Sequence, residues 1–230
     1  MNKKNRHSLL TTLLLSLLLL SSCEQDNYDK GEGEYSLMRA DFVQAHVGGD
    51  KRVDYIVTDD GDSLATDPKF TIKAIETADT IYRAILYYNK VKGTTGNYVA
   101  EAKGMSIVPT LYPSSLTHHP SPMKTDPVKF ESLWVGANRR YVNLSIYLMT
   151  NQLDDDDAKQ VVAIVKDKLV EHADGKRTLN CRLYHDQNGV PEYYSQQCYI
   201  SIPANVLKAD SLRLTINTYQ GEIIKTISTF

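Results

Sequence analysis

Apolar and polar side chains alternate one for one along much of this chain, the period of a strand with one face in a core and one in water. Met38, Ala40 and Phe42 alternate with Arg39 and Asp41, and Phe70, Ile72 and Ala74 repeat the pattern. Between them, Val53–Thr58 is rich in β-formers and runs into Asp59-Asp60-Gly61-Asp62, a turn. Thr80–Tyr88 is dense in β-branched and aromatic residues, and Tyr98–Val108 reads as a long strand bulged or bent at Gly104. About five strands in so short a span predict a small Greek-key barrel of the OB type for residues 36–110.

The second half carries the same period. Val128–Val135 and Tyr141–Met149 form a first pair, with Val142, Leu144, Ile146 and Leu148 on one face. Leu179, Cys181 and Leu183 alternate with polar neighbours, as do Cys198, Ile200 and Ile202, and then Leu212, Leu214 and Ile216. Tyr219-Gln220-Gly221-Glu222 turns into a last strand from Ile223. About seven strands over residues 126–230 predict a β-sandwich. Ala158–Ala173 admits two periods: Val161, Val162, Val165 and Leu169 also sit at helical spacing, behind the acidic start Asp154–Asp157. The valines favour a strand over 160–166. Three prolines and three serines in Tyr112–Pro122 mark residues 111–125 as a linker. The expected fold class is therefore all-β: an N-terminal OB-like small barrel followed by a C-terminal seven-stranded β-sandwich.

Residues 1–22 depart from this alternation. Lys3, Lys4 and Arg6 precede an apolar run, Leu9–Leu20, and Leu20-Ser21-Ser22-Cys23 follows. A helix of that run would be about 18 Å long against a hydrocarbon core of about 30 Å, so the segment reads as a cleaved signal peptide. Its exit matches a bacterial lipobox, which makes Cys23 the lipidated first residue of the mature chain. Acyl chains then hold the protein to a membrane. Residues 23–35 form an acidic tether too polar to fold alone, its stretch Glu24–Glu34 carrying one aromatic and no aliphatic side chain. It resembles a surface-export tag in interrupted form; a plain spacer is the alternative. The mature chain has 23 basic against 28 acidic residues, a formal charge of −5, so no nucleic-acid partner is expected. The expected location is the outer membrane, lipid-anchored, on its surface or periplasmic face.

With Cys23 acylated, Cys181 and Cys198 remain. Asn188-Gly189 between their strands is a strong hairpin signal. A hairpin turning there would set the two cysteines opposite each other within disulfide reach. A structural Cys181–Cys198 bridge is expected, with two reduced core thiols as the alternative.

The chain has no Gly-x-Ser-x-Gly elbow, phosphate-cradling glycine loop or His-Glu-x-x-His. His118-His119 reads as an exposed linker pair and His185-Asp186 as a solvated turn, the latter with Glu192 or Tyr193 within reach. Asp59–Asp62 offers the spaced ligands of a calcium loop only in part, with no bidentate glutamate at the EF-hand distance, and Asp154–Asp157 is four consecutive acids that read as a solvated loop or helix start. No catalytic residue, metal or cofactor is assigned. Tyrosines number 15, and Tyr87-Tyr88, Tyr193-Tyr194 and Tyr199 are candidates for recognising a partner or glycan, or simply suit exposed strands. Asp62-Ser63-Leu64, Asp79-Thr80-Ile81 and Asp210-Ser211-Leu212 resemble a bacterial O-glycosylation sequon.

Taken in order, the lipobox, the tether with Tyr28 and Gly31, the OB-like half, Asp126-Pro127-Val128-Lys129, Leu133-Trp134-Val135-Gly136 and the Tyr219-Gln220-Gly221-Glu222 turn resemble the NigD-like lipoproteins. The resemblance implies an N-terminal OB-type domain, a C-terminal β-sandwich and an immunity or envelope role, and brings no catalytic residues. The expected function is a non-enzymatic envelope lipoprotein that binds a protein or glycan partner, of the bacteriocin-immunity type. The alternatives are an envelope hydrolase acting on glycan or peptide, or a passive scaffold subunit of an outer-membrane complex. Mass analysis of the mature N-terminus tests the anchor: Cys23 should carry acyl groups, and an unacylated Cys23 or a retained leader would contradict the reading.

Overall fold

The structure, a computed structural model, describes residues 37–118, 122–151 and 159–229. Cys23 with its leader and tether, His119 and Asp154–Asp157 lie outside them. Five strands come first: β1 (Met38–Val47), β2 (Val53–Thr58), β3 (Ser63–Phe70), β4 (Thr80–Lys92) and β5 (Tyr98–Ile107). They close into a barrel in the order β1-β2-β3-β5-β4, with β3 and β5 parallel. Closure removes every free edge, which lets so short a segment hold a sheet in water. Inward positions of alternating strands fill it: Val43 and Ala45, Val53 and Ile56, Leu64, Ala84 and Leu86, Tyr88, Ala100. The buried Tyr88 donates its hydroxyl hydrogen to Asp41 at 2.7 Å.

One barrel strand differs from the sequence expectation. The third strand is Ser63–Phe70, ahead of the Phe70-Ile72-Ala74 repeat. Its inward row is Leu64 and then Thr66, whose hydroxyl donates to the Val53 carbonyl, so the strand hides behind a polar core residue. Ile72 and Ile75 instead close a turn, Ile75 N–H donating to Ile72 at 3.0 Å, and both pack onto the barrel core. The irregularity expected at Gly104 is present: Tyr87 faces Gly104 while Tyr88 faces Ala102, which leaves Lys103 as the extra residue.

Seven strands follow: β6 (Lys129–Val135), β7 (Tyr141–Thr150), β8 (Val161–Glu171), β9 (Arg177–Asp186), β10 (Tyr194–Pro203), β11 (Ser211–Thr218) and β12 (Gly221–Ser228). They form a three-stranded sheet, β10-β7-β6, and a four-stranded sheet, β12-β11-β9-β8. The ambiguous segment around residue 160 is the strand β8. Val142, Leu144 and Ile146 of β7 and Ile200 and Ile202 of β10 form one half of the core. Ile164, Leu179, Leu183, Leu212, Leu214 and Ile216 of the other sheet form the opposing half. Each fully buried Leu or Ile contributes about 1.5–3 kcal/mol.

The proline- and serine-rich segment is hydrogen-bonded along the sandwich. Leu111 N–H donates to Ser201 of β10 at 2.9 Å, and Ser114 exchanges bonds with Ile164 and Lys166 of β8. Farther on, Asp126 and Val128 donate to His185 of β9 and Asn217 of β11, where those two strands have stopped pairing. The segment thus joins an edge of one sheet to an edge of the other and then fills a gap between strands.

The cysteine hairpin does not form. β9 pairs with β8 and β11, whereas β10 pairs with β7 in the facing sheet, so the chain crosses the sandwich through Gln187–Tyr193. Cys181 and Cys198 are free thiols at the core. The turn at Asn188-Gly189 exists, both residues at positive φ, but it launches a crossover. Burial pushes the Cys181 thiol up to about 12 and raises Cys198 as well. Burial thus disfavours the thiolate, the reactive form, at both positions. The native protein should therefore resist a thiol-directed disulfide reagent and release two thiols per chain on denaturation without reductant. Finding no titratable thiol there would contradict the observed arrangement.

Candidate functional site

Barrel and sandwich meet on a buried charge. Arg83, at an outward position of β4, has a side chain 2% exposed, and its partner Asp59 follows β2 with 14% exposed. The guanidinium donates to both Asp59 oxygens, at 2.7 and 2.6 Å, from its two terminal nitrogens. Its Nε donates to Ser201 Oγ at 3.0 Å, and one terminal nitrogen also reaches Asn143 Oδ1 at 3.1 Å. Asn143 returns a bond from Nδ2 to Asp59 at 3.0 Å, and Ser201 donates to Asn143 Oδ1 at 2.7 Å. The Tyr141 ring lies 4.1 Å below the guanidinium and that of Phe42 5.2 Å away. Arg83, Asp59 and Phe42 come from the barrel; Asn143, Tyr141 and Ser201 come from the outer face of the three-stranded sheet. Arg39–Phe230 accordingly form one compact unit.

Two turns lock the contact. Asn138, between β6 and β7, donates its backbone N–H to Asp59 at 2.7 Å and its amide to the Thr58 carbonyl at 2.9 Å. Phe42 sets its ring edge-on to Trp134 and Tyr199, at 5.5 and 5.4 Å. Gly136 is required by closeness: a Cβ there would stand 2.7 Å from an Asp59 oxygen.

Beside this seam opens a cleft of about 460 Å³, lined by Gln44 of β1, Tyr112 of the proline- and serine-rich segment (the strap), Arg139, Arg140 and Tyr141 of the β6–β7 turn and start of β7, and Asn205. Gln44 donates to the Tyr141 hydroxyl at 3.1 Å and accepts from Arg140. Two residues along the same face of β1, His46 stacks on Tyr55 with ring centroids 4.0 Å apart. Burial first, and the Arg140 charge second, hold the His46 imidazole below its usual range. The cleft carries two exposed cations and no acid in its lining.

Residues singled out in the sequence are dispersed. Asp59 serves Arg83, and Asp62 pairs with Lys90 at 2.6 Å, so the acidic turn is a set of ion pairs. His185 is buried, bonded to the Asp126 carbonyl and to Gln160 at 3.0 Å each, rather than in a solvated turn. His118 ends a short 3-10 turn. Tyr87, Tyr193 and Tyr194 are exposed, Tyr88 is barrel core, and Tyr199 belongs to the junction. Among the described residues no group of three or more His, Cys, Asp or Glu could hold a metal ion. A larger, shallower cleft of about 680 Å³ holds His172, Thr178 and Ser211. There His172 Nε2 meets Thr178 Oγ1 at 2.7 Å, which meets Ser211 Oγ at 2.8 Å. Arg83, Arg139 and Arg140 escaped sequence reasoning, although an arginine inside the apolar run Thr80–Tyr88 already calls for a buried acid.

A barrel locked to a two-sheet sandwich through this junction is the architecture of a known class. A model of the NigD-like C-terminal β-sandwich domain matches residues 113–229, and the chain belongs to the NigD-like family. Among solved structures it is similar to a NigD-like immunity protein from Bacteroides caccae ATCC 43185, with a TM-score of 0.64 and 24% identity over 81% of this chain and 91% of that one. An inferred toxin-related protein from Parabacteroides distasonis ATCC 8503 gives a TM-score of 0.59 at 12% identity, covering 83% and 92%. An inferred lipoprotein from Bacteroides fragilis NCTC 9343 gives 0.55 at 11%, covering 84% and 98%. At these identities the likeness is one of fold. No curated protein matches the chain.

Removing one partner of a buried pair strands the other, at a cost of about 3–5 kcal/mol. Arg83→Ala is expected to lose that much stability in urea unfolding, and Arg83→Ala with Asp59→Ala scarcely more; additive losses would contradict the coupling. Gly136→Ala should cost about 1–3 kcal/mol by overpacking against Asp59.

Proposed function

We propose that this protein is an immunity-type lipoprotein, held to the envelope through Cys23, that acts by binding a protein partner and catalyses nothing. The observation that carries the reading is membership of the NigD-like family, supported by the likeness in fold to an immunity protein and to an inferred lipoprotein. The junction suits that role. Two small β-domains locked by a buried ion pair present a preformed surface, and a preformed surface loses little entropy when a partner docks. Lipidation would keep this surface at the membrane where an incoming toxin must pass, with the residue 23–35 tether setting its reach.

The hydrolase alternative has one observation in its favour, the His172-Thr178-Ser211 hydroxyl chain. A working nucleophile needs a base oriented by a third group and donors for the developing oxyanion. Among the described residues no carboxylate orients the His172 ring, and Thr178 and Ser211 also link β9 to β11 as ordinary cross-strand hydroxyls. Binding is therefore the better-supported reading.

Survival in co-culture tests it. A strain lacking the gene should lose at least tenfold in survival beside a toxin-producing relative of its own species. The wild-type gene should restore survival and a Cys23→Ala gene should not. Equal survival of parent and deletion strain across such relatives would contradict the immunity role.

A further inference from the structure

The cleft beside the junction has a chemistry that folding does not explain. Arg139 and Arg140 stand side by side at its mouth in a mature chain that is net acidic. The ion pairs of the described barrel and sandwich use Arg39, Lys69, Arg83, Lys90, Lys103, Lys176 and Arg182, and neither cleft arginine is among them. Arg140 has an amide oxygen, that of Gln44, and Arg139 has no side-chain partner among the described residues. Arg139 also sits at φ 57°, a left-handed conformation that glycine or asparagine adopts at lower cost. The rest of the lining suits a peptide: Tyr112, 61% exposed, and Asn205 add a ring and an amide to the two cations.

We propose that this cleft receives a carboxylate-bearing segment of the protein partner, with Arg139 and Arg140 gripping the carboxylates and Tyr112 covering the backbone between them. The proposal rests on the partner-binding reading above and names the chemistry of its site. Guanidinium forks match carboxylates in two-point hydrogen bonds, and a cleft of about 460 Å³ is far larger than one small anion needs. At the neighbouring His46, burial and then the Arg140 charge disfavour the protonated form.

The test uses the full-length protein and a fluorescein-labelled hexaglutamate peptide at low salt, with hexaglutamine and inorganic phosphate as comparisons. Hexaglutamate should bind more tightly than hexaglutamine, and phosphate at equal concentration should fail to displace it. Arg139→Gly should weaken binding about tenfold while leaving the melting temperature unchanged or raising it, since glycine relieves the backbone. Tyr112→Ala should weaken binding with no loss of stability. Undiminished binding by Arg139→Gly would overturn the proposal, as would equal binding of hexaglutamine or full displacement by phosphate. The co-culture assay separates the two readings. Full rescue by Arg139→Gly would remove the cleft and keep immunity; peptide binding without any deletion phenotype would keep the cleft chemistry and remove immunity.

Discussion

A guanidinium taken out of water needs its charge and its donors answered, and Arg83 finds an opposite charge and four hydrogen bonds only where barrel and sandwich touch. Asp59 supplies the opposite charge in two-point geometry, Ser201 and Asn143 accept further hydrogens, and Tyr141 and Phe42 present ring faces. Pull the two domains apart and a nearly dry cation faces solvent on one side and a stripped sheet on the other. Such a pair adds little over a well-packed apolar contact, but breaking it is expensive, so its effect is to fix one relative placement. Everything proposed for the surface follows from that placement, because the cleft exists only while β1 of the barrel lies against the β6–β7 turn.

The edges of the sandwich are treated unequally. One side is sealed by the strap, whose backbone bonds to β10, β8, β9 and β11 in turn. The other side leaves β6 and β12 as edge strands, and both are blunted. β6 is bulged between Phe130 and Ser132, and Lys225 of β12 swings its ammonium to 4.9 Å from the Phe130 ring. Bulges and inward lysines discourage strand addition.

Much of the fold was legible because alternation reports burial on one face directly. Strands such as β1, β7, β9, β10 and β11 show it, others such as β2, β4 and β8 were read from their density of β-branched and aromatic residues, and β3 escaped because Thr66 takes an inward position on the strength of a hydroxyl bond. Partnership between strands was less legible. The Asn188-Gly189 turn looks the same whether the next strand pairs with the last or crosses to the other sheet, and only tertiary packing chose the crossover that leaves Cys181 and Cys198 as free thiols. The site was legible only in retrospect. Trp134 and Gly136, quoted for the family resemblance, turn out to be contact residues of the junction, one against Phe42 and the other making room for Asp59. Asp59 read as one acid of a turn because its partner lies 24 residues away on another strand.

Trp134 is the single tryptophan of the chain and stands at the junction, so it reports on the contact without any label. Urea unfolding followed at once by Trp134 fluorescence and by far-ultraviolet circular dichroism measures whether seam and sheets melt together. One cooperative unit predicts coincident midpoints for the two signals. A fluorescence change complete at urea concentrations where the β signal is still intact would mean that the domains part before they unfold, and that the buried Arg83 pair does not hold them.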